Sequence, residues 1–184
     1  MRVSPLVILI GLRGSGKSTL GQALAARLGR SFIDLDERTM ARFDEATVAE
    51  IWRTHGEGAW RTAETEALAE AIEAGGESVL SLGGGTTMIE DARRRLDGAR
   101  SAGRARLIYL RLRPDELIGR LRDHEGDRPS LTGGDVAEET RQVFAERDPV
   151  YSAIADVVYE PTGEGVDADT ERLLRLIEHA GRSS

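Results

Sequence analysis

Residues Gly11-Leu12-Arg13-Gly14-Ser15-Gly16-Lys17-Ser18 meet the spacing Gly-x-x-x-x-Gly-Lys-[Ser/Thr], and Thr19 follows. The chemistry of such a loop is anion capture. Glycine at 11, 14 and 16 lets successive backbone N–H groups turn inward around a phosphate. Lys17 adds a point charge for the outer phosphates, and the Ser18 hydroxyl is a ligand for Mg2+. Further along the chain, Asp34 and Asp36 pair two carboxylates, and Arg61 and Glu64 lie three apart on one helix face. Gly83-Gly84-Gly85 is a run with no side chain to block a close approach. Arg128 precedes a proline in a polar segment, and Arg147 lies two residues before Pro149.

These groups need elements to hold them. Leu6 to Ile10 is an apolar run of strand length, and Leu20, Leu24 and Leu28 recur behind the loop at helical spacing. The loop therefore joins a buried strand to a helix N-terminus, the context in which the motif binds phosphate. A purine nucleoside triphosphate is the ligand this suggests. Gly29 is a C-cap, and Phe32 and Ile33 begin a second strand that ends at the two aspartates. Ligands of open α/β sheets bind at the carboxyl ends of the strands, which would place Asp34 and Asp36 beside the loop. Asp36 fits a cap for a helix starting near Glu37 as well as it fits a functional carboxylate.

Residues 47–76 read as helical with a turn at His55-Gly56, and Trp52 and Trp60 read as core. By spacing alone, Arg61 and Glu64 are a solvated ion pair. A third strand, Glu77 to Leu82, runs into the glycine triplet. Ser81 stands where many such proteins place a metal-binding Asp, which leaves Asp34 for that role. A helix over 89–102, a strand over 105–112 and a helix from Pro114 to about Asp123 follow. His124 to Gly134 has the composition of a mobile loop, so that Arg128 could close over the phosphates. A long helix from Asp135 carries Arg141 and Arg147 before Pro149. A short strand over 156–159, a turn over 160–165 and a helix over 166–179 complete the chain. Strands alternating with helices predict one parallel sheet covered on both faces.

The 184 residues suffice for one domain with a real core. There is no cysteine, which excludes a disulfide framework or a thiolate metal site and fits a cytoplasmic protein. The apolar run at the N-terminus is too short to span a bilayer, and it leads straight into the phosphate loop, unlike a removable signal peptide. A net charge of −7 argues against nucleic-acid binding by bulk electrostatics, so positive charge must be concentrated locally.

The ordered set of motifs resembles the shikimate kinase family almost end to end. The loop, the aspartates, Gly58-Ala59-Trp60-Arg61-Thr62-Ala63-Glu64, Ser81 to Gly85, Arg128-Pro129 and Arg147-Asp148-Pro149-Val150-Tyr151 each have a counterpart there. The resemblance implies a P-loop, nucleoside monophosphate kinase-like fold with five parallel strands between helices. It implies a single kinase domain over 1–184, with a substrate-binding helical segment at about 36–62 and a lid at about 124–134. The implied activity is transfer of the ATP γ-phosphate to the 3-hydroxyl of shikimate, with Mg2+ as cofactor, in a cytoplasmic monomer that needs neither membrane nor nucleic acid. Carried over residue by residue, ATP falls to Gly14, Ser15, Gly16, Lys17, Ser18, Thr19 and Arg128, with Arg122 and Pro161 flanking the adenine. Shikimate falls to Asp36, Arg61, Gly83, Gly84, Gly85 and Arg147, with Glu64 orienting Arg61. Mg2+ falls to Ser18 and Asp34, and Lys17, Asp36 and Arg128 are the catalytic set.

Leu35, Trp60 and Ser130 depart from the family's usual residues and bear on substrate identity more than on reaction type. The inventory also makes sense without the name. Arg61 and Arg147 can grip a carboxylate, and Asp36 can accept from an attacking hydroxyl. Two other readings use the same residues: a kinase for another small hydroxyl substrate, such as gluconate or a nucleoside monophosphate, and a catalytically silent nucleotide-binding module.

Overall fold

The computed structural model describes residues 5–123 and 135–180. Strand β1, Leu6–Ile10, is buried along its whole length, as a run of five apolar residues requires. It lies at the centre of a five-stranded sheet of order β2-β3-β1-β4-β5, with every pairing parallel. Its partners are β2 at Ser31–Asp34, β3 at Ser78–Ser81, β4 at Ala105–Leu110 and β5 at Val157–Tyr159.

Alternate residues of β1 feed two cores. Val7 and Leu9 pack with Leu20 and Leu24 of α1 (Lys17–Leu28) and Leu173 of α7 (Val166–Ala180). Leu6, Ile8 and Ile10 face Leu68 and Ile72 of α3 (Val48–Ala74), Leu96 of α4 (Glu90–Ser101) and Tyr151 of α6 (Val136–Ile154). Helices thus cover both faces of the sheet, as the alternation of elements predicts.

Three local features set the site. Asp34 Oδ1 accepts from the backbone N–H of Asp36 and Glu37, so Asp34 caps the short helix α2, Leu35–Met40. Asp36 lies inside that helix, so the cap is Asp34 and not Asp36. The helix spanning 48–74 is interrupted at Gly56, with φ 81° and ψ 158°, where the sequence places a turn. Helix α6 continues through Pro149 to Ile154. The proline forfeits one backbone bond, and the fully buried Tyr151 and nearly buried Ile154 offset that loss.

Candidate active site

The loops that leave β1, β2 and β3 at their carboxyl ends meet at one edge of the sheet. The first is the phosphate loop. A Cβ on Gly11, whose φ is 151°, would lie 2.7 Å from the Leu110 carbonyl oxygen, so the backbone of β4 seats the loop directly. Gly16, also at positive φ, leads into α1. Lys17 folds over the loop and donates to the carbonyls of Gly11 and Leu12, both at 3.0 Å. Burial lowers its pKa to about 8, against the opposing pull of Asp36 and Asp34. A cation held in so little water gains strongly from an incoming anion. Ser15 Oγ is buried with no partner among the described residues, inside the same cradle.

Ser18 Oγ donates to Asp34 Oδ2 at 3.0 Å, while the other Asp34 oxygen caps α2. A hydroxyl and a carboxylate oxygen this close are hard donors of the kind Mg2+ takes. Mg2+ commonly completes its shell with substrate phosphates and water, so two protein oxygens suffice.

The glycine triplet is the floor of the second half of the site. A Cβ on Gly83 would collide with Asp36 Oδ1 and would lie 2.9 Å from Glu64 Oε1 and 3.2 Å from Thr86 Oγ1. On Gly84 it would lie 3.5 Å from Arg147 Nη1, and on Gly85 it would lie 3.0 Å from Arg61 Nη1. Gly83 and Gly85 therefore give up their side chains to make room for Asp36, Glu64 and Arg61, whereas a methyl at Gly84 would meet Arg147 at ordinary contact distance. Around these glycines lie the side chains of Asp36, Glu64, Arg61 and Arg147. A Cβ on Gly84 would also lie 3.7 Å from the Gly11 carbonyl oxygen, so the floor abuts the phosphate loop.

Arg61 and Glu64 do not form a solvated pair. Glu64 is 1% exposed; its Oε2 accepts from Arg61 Nη1 at 3.0 Å and its Oε1 accepts from Thr86 Oγ1 at 2.5 Å. Glu57 takes the outer edge of the same guanidinium, accepting from Nη2 and Nε at 2.9 and 3.1 Å. Burial works against the charge on Arg61, but Glu64 and Glu57 outweigh it and raise the pKa. Trp52 lies under the guanidinium, 5.7 Å from ring centre to Cζ, and Trp60 is core as expected.

Arg147 Nη1 donates to the Gly84 carbonyl oxygen at 2.7 Å, and Tyr151 OH donates to the same oxygen at 2.5 Å. The Arg147 Nε is buried and has no partner among the described residues. An unpaired buried N–H on a cation is costly, and a carboxylate would satisfy it. Burial pushes the Tyr151 hydroxyl up to about 12, which keeps it a donor at neutral pH.

The sites inferred for the nucleotide base are less closely gathered. Arg122 is exposed on α5 (Pro114–Asp123), and Pro161 is half-buried just past β5. The α5 arginine that reaches the loop is Arg120, whose Nη1 is 3.4 Å from the Gly14 carbonyl oxygen. Arg128 and the segment 124–134 lie outside the described residues. Sequence reading passes over Arg120, Glu57, Thr86 and Tyr151, and only Tyr151 had a signal, its place in the Arg147-Asp148-Pro149-Val150-Tyr151 segment.

A parallel sheet of this order, with the phosphate loop after its central strand and a wall of charged side chains beside it, defines a P-loop phosphotransferase acting on a small molecule. The family model for shikimate kinase matches residues 13–178. The chain is 37% identical over 175 residues to a shikimate kinase of Chromohalobacter salexigens, covering 95% of this chain and 93% of that one. It is 36% identical to a shikimate kinase of Chromobacterium violaceum, covering 90% and 86% respectively. Among solved structures, shikimate kinase from Bacteroides thetaiotaomicron superposes with a TM-score of 0.82 at 30% identity, covering 95% of this chain and 98% of that one. The Acinetobacter baumannii enzyme in complex with shikimate superposes with a TM-score of 0.81 at 29% identity, covering 96% and 94%. The chain belongs to the shikimate kinase family.

Proposed function

We propose that this protein transfers the γ-phosphate of ATP to the 3-hydroxyl of shikimate, giving shikimate 3-phosphate and ADP. The observation that carries the reading is the packing of Asp36, Arg61 and Arg147 on three consecutive glycine α-carbons next to the phosphate loop. Two cations and one carboxylate suit a small acid that also bears hydroxyls.

In this reading the backbone of Gly14, Ser15, Gly16 and Thr19, with Lys17, holds the phosphates. Arg122 and Pro161 flank the adenine. Arg61 and Arg147 bind the acceptor carboxylate, and Glu64 fixes the guanidinium of Arg61. The backbone of Gly83, Gly84 and Gly85 lines the floor. Asp36 accepts the hydrogen bond of the attacking hydroxyl, orients it and takes its proton. Ser18 and Asp34 would hold Mg2+, which when bound neutralises charge on the phosphates. Arg128 would add a cation from the lid segment 124–134, in a single kinase domain whose acceptor helices span about 36–62. Among the described residues, no helix is long and apolar enough to cross a membrane, and we place the protein in the cytoplasm as a monomer. No feature of the site favours gluconate, a nucleotide acceptor or a silent binding role.

The test is product identification. ATP, Mg2+ and a panel of hydroxy-carboxylates are incubated with the protein, and products are read by phosphorus NMR. Shikimate should give one new phosphomonoester in step with ADP. Phosphorylation of gluconate or a nucleoside monophosphate in preference to shikimate would refute the assignment.

A further inference from the structure

Arg111, one residue past β4, joins two parts of the site that no contiguous motif connects. Its Nε and Nη2 donate to Asp148 Oδ1 and Oδ2 at 2.8 and 3.2 Å, and its Nη1 donates to Glu160 Oε1 at 2.9 Å. Tyr109 OH donates to Asp148 Oδ1 at 2.8 Å, and the guanidinium lies 5.6 Å from the Phe144 ring centre. Asp148 is the neighbour of Arg147, and Glu160 is the neighbour of Pro161. The planar fork of a guanidinium holds two carboxylates in fixed directions, which a lysine could not do.

We propose that Arg111 is a positioning residue that couples the acceptor-binding Arg147 on α6 to the purine side of the nucleotide site at Pro161. The inference rests on the functional assignment of those two residues given above. The need for a tether follows from the local backbone. Asp148 directly precedes Pro149, where α6 lacks a backbone bond, so the turn that aims Arg147 is short of its own support. Arg147 commits Nη1 to the Gly84 carbonyl, and the direction of its remaining donors depends on how α6 is rotated. On the other side, residues 160–165 lie outside regular structure, and Pro161 sits between Thr162, which Asp169 holds, and Glu160, which Arg111 holds. A misplacement of about 1 Å in such groups is enough to lose much of a positioned interaction. The tether is also steady in pH. Arg111 holds the Asp148 carboxyl below the usual carboxylate range, and burial together with Asp148 pushes the Tyr109 hydroxyl up, so one remains an acceptor and the other a donor.

Three variants separate the arms. Asp148→Ala cuts the α6 arm, Glu160→Gln weakens the purine arm, and Arg111→Met cuts both while keeping an apolar stem over Phe144. Two constants are measured: the shikimate KM at saturating ATP, and the Kd of a fluorescent ADP analogue without acceptor. Asp148→Ala should raise the KM by about three- to tenfold and leave the Kd within about twofold, the scale of a partly exposed bidentate pair. Glu160→Gln should do the reverse, and Arg111→Met should raise both. If Arg111→Met does not fold, Arg111→Lys, which keeps the charge and loses the fork, should raise both constants by a smaller factor. The proposal is overturned if a folded Arg111 variant changes neither constant, or if all three variants move both constants in parallel, as a general loss of stability would. Failure of the wild-type protein to phosphorylate shikimate would refute the functional assignment instead, and the ADP titrations would still report on the purine arm.

Discussion

Between Gly11 and Ser18 the site is mostly backbone, contributed by eight consecutive residues and shaped by glycines at positive φ, with the Lys17 and Ser18 side chains added to it. Across the cleft it is made of side chains, with Asp36 from α2, Arg61 and Glu64 from α3, and Arg147 from α6, all resting on Gly83 to Gly85. The donor half needs only local sequence to form, and phosphate is the same in every nucleotide. The acceptor half needs the whole fold, because its groups come together only after four elements pack. In the proposed reading the first half sets the reaction class and the second sets what receives the phosphate.

Substitutions should keep the two halves distinct. Lys17→Ala is expected to have the largest effect, a fall in kcat of about 10²–10³ with little change in acceptor KM, read by single-turnover kinetics. Gly83→Ala should strike the acceptor half through packing. The new methyl would meet Asp36 and Glu64, so urea unfolding should show a loss of about 1–3 kcal/mol together with a raised acceptor KM. An unchanged acceptor KM would mean that the floor does not set the wall.

The lowered pKa of Lys17 gives a donor-side signature that needs no turnover. Above pH 8 the lysine of the free protein is losing its proton, and bound phosphate favours the charged form, so ADP binding should take up a proton. Calorimetry at pH 8.5 with a metal chelator, in buffers of different ionisation enthalpy, should detect it. For the free fold the sign is opposite to that of a salt-bridged lysine. Because the pKa falls from 10.5 to about 8, this group penalises folding below pH 8, and the penalty is relieved as pH rises between those values. The smallest effect is expected from Thr86→Val, which removes the hydroxyl on Glu64 and should raise acceptor KM by about two- to fivefold, with Thr86→Ser restoring it.

Much of this was readable in advance, and the reasons differ by residue. The phosphate loop is contiguous and bounded by a strand and a helix, so its place at the sheet edge follows from order alone. The kink at Gly56 and the five strands follow from periodicity and breakers. Arg61 and Glu64 could be placed on one face, but the buried Glu64 takes a hydrogen bond from Thr86, 22 residues away, which spacing does not reveal. Spacing could not decide between cap and functional carboxylate for Asp36, and it gave no sign that Asp34, two residues earlier, is the cap. The part played by Arg111 had no sequence signal, since its partners lie 37 and 49 residues further on.

The central claim is that Arg61 and Arg147 read the acceptor's carboxylate. It is tested most directly by comparing shikimate with its methyl ester in wild type and in Arg147→Ala, by steady-state ATP turnover. In wild type the ester should show a KM about ten- to a hundredfold above that of the acid, and in Arg147→Ala the two should differ much less. Equal KM values for acid and ester in wild type, or an undiminished preference for the acid in Arg147→Ala, would contradict the account.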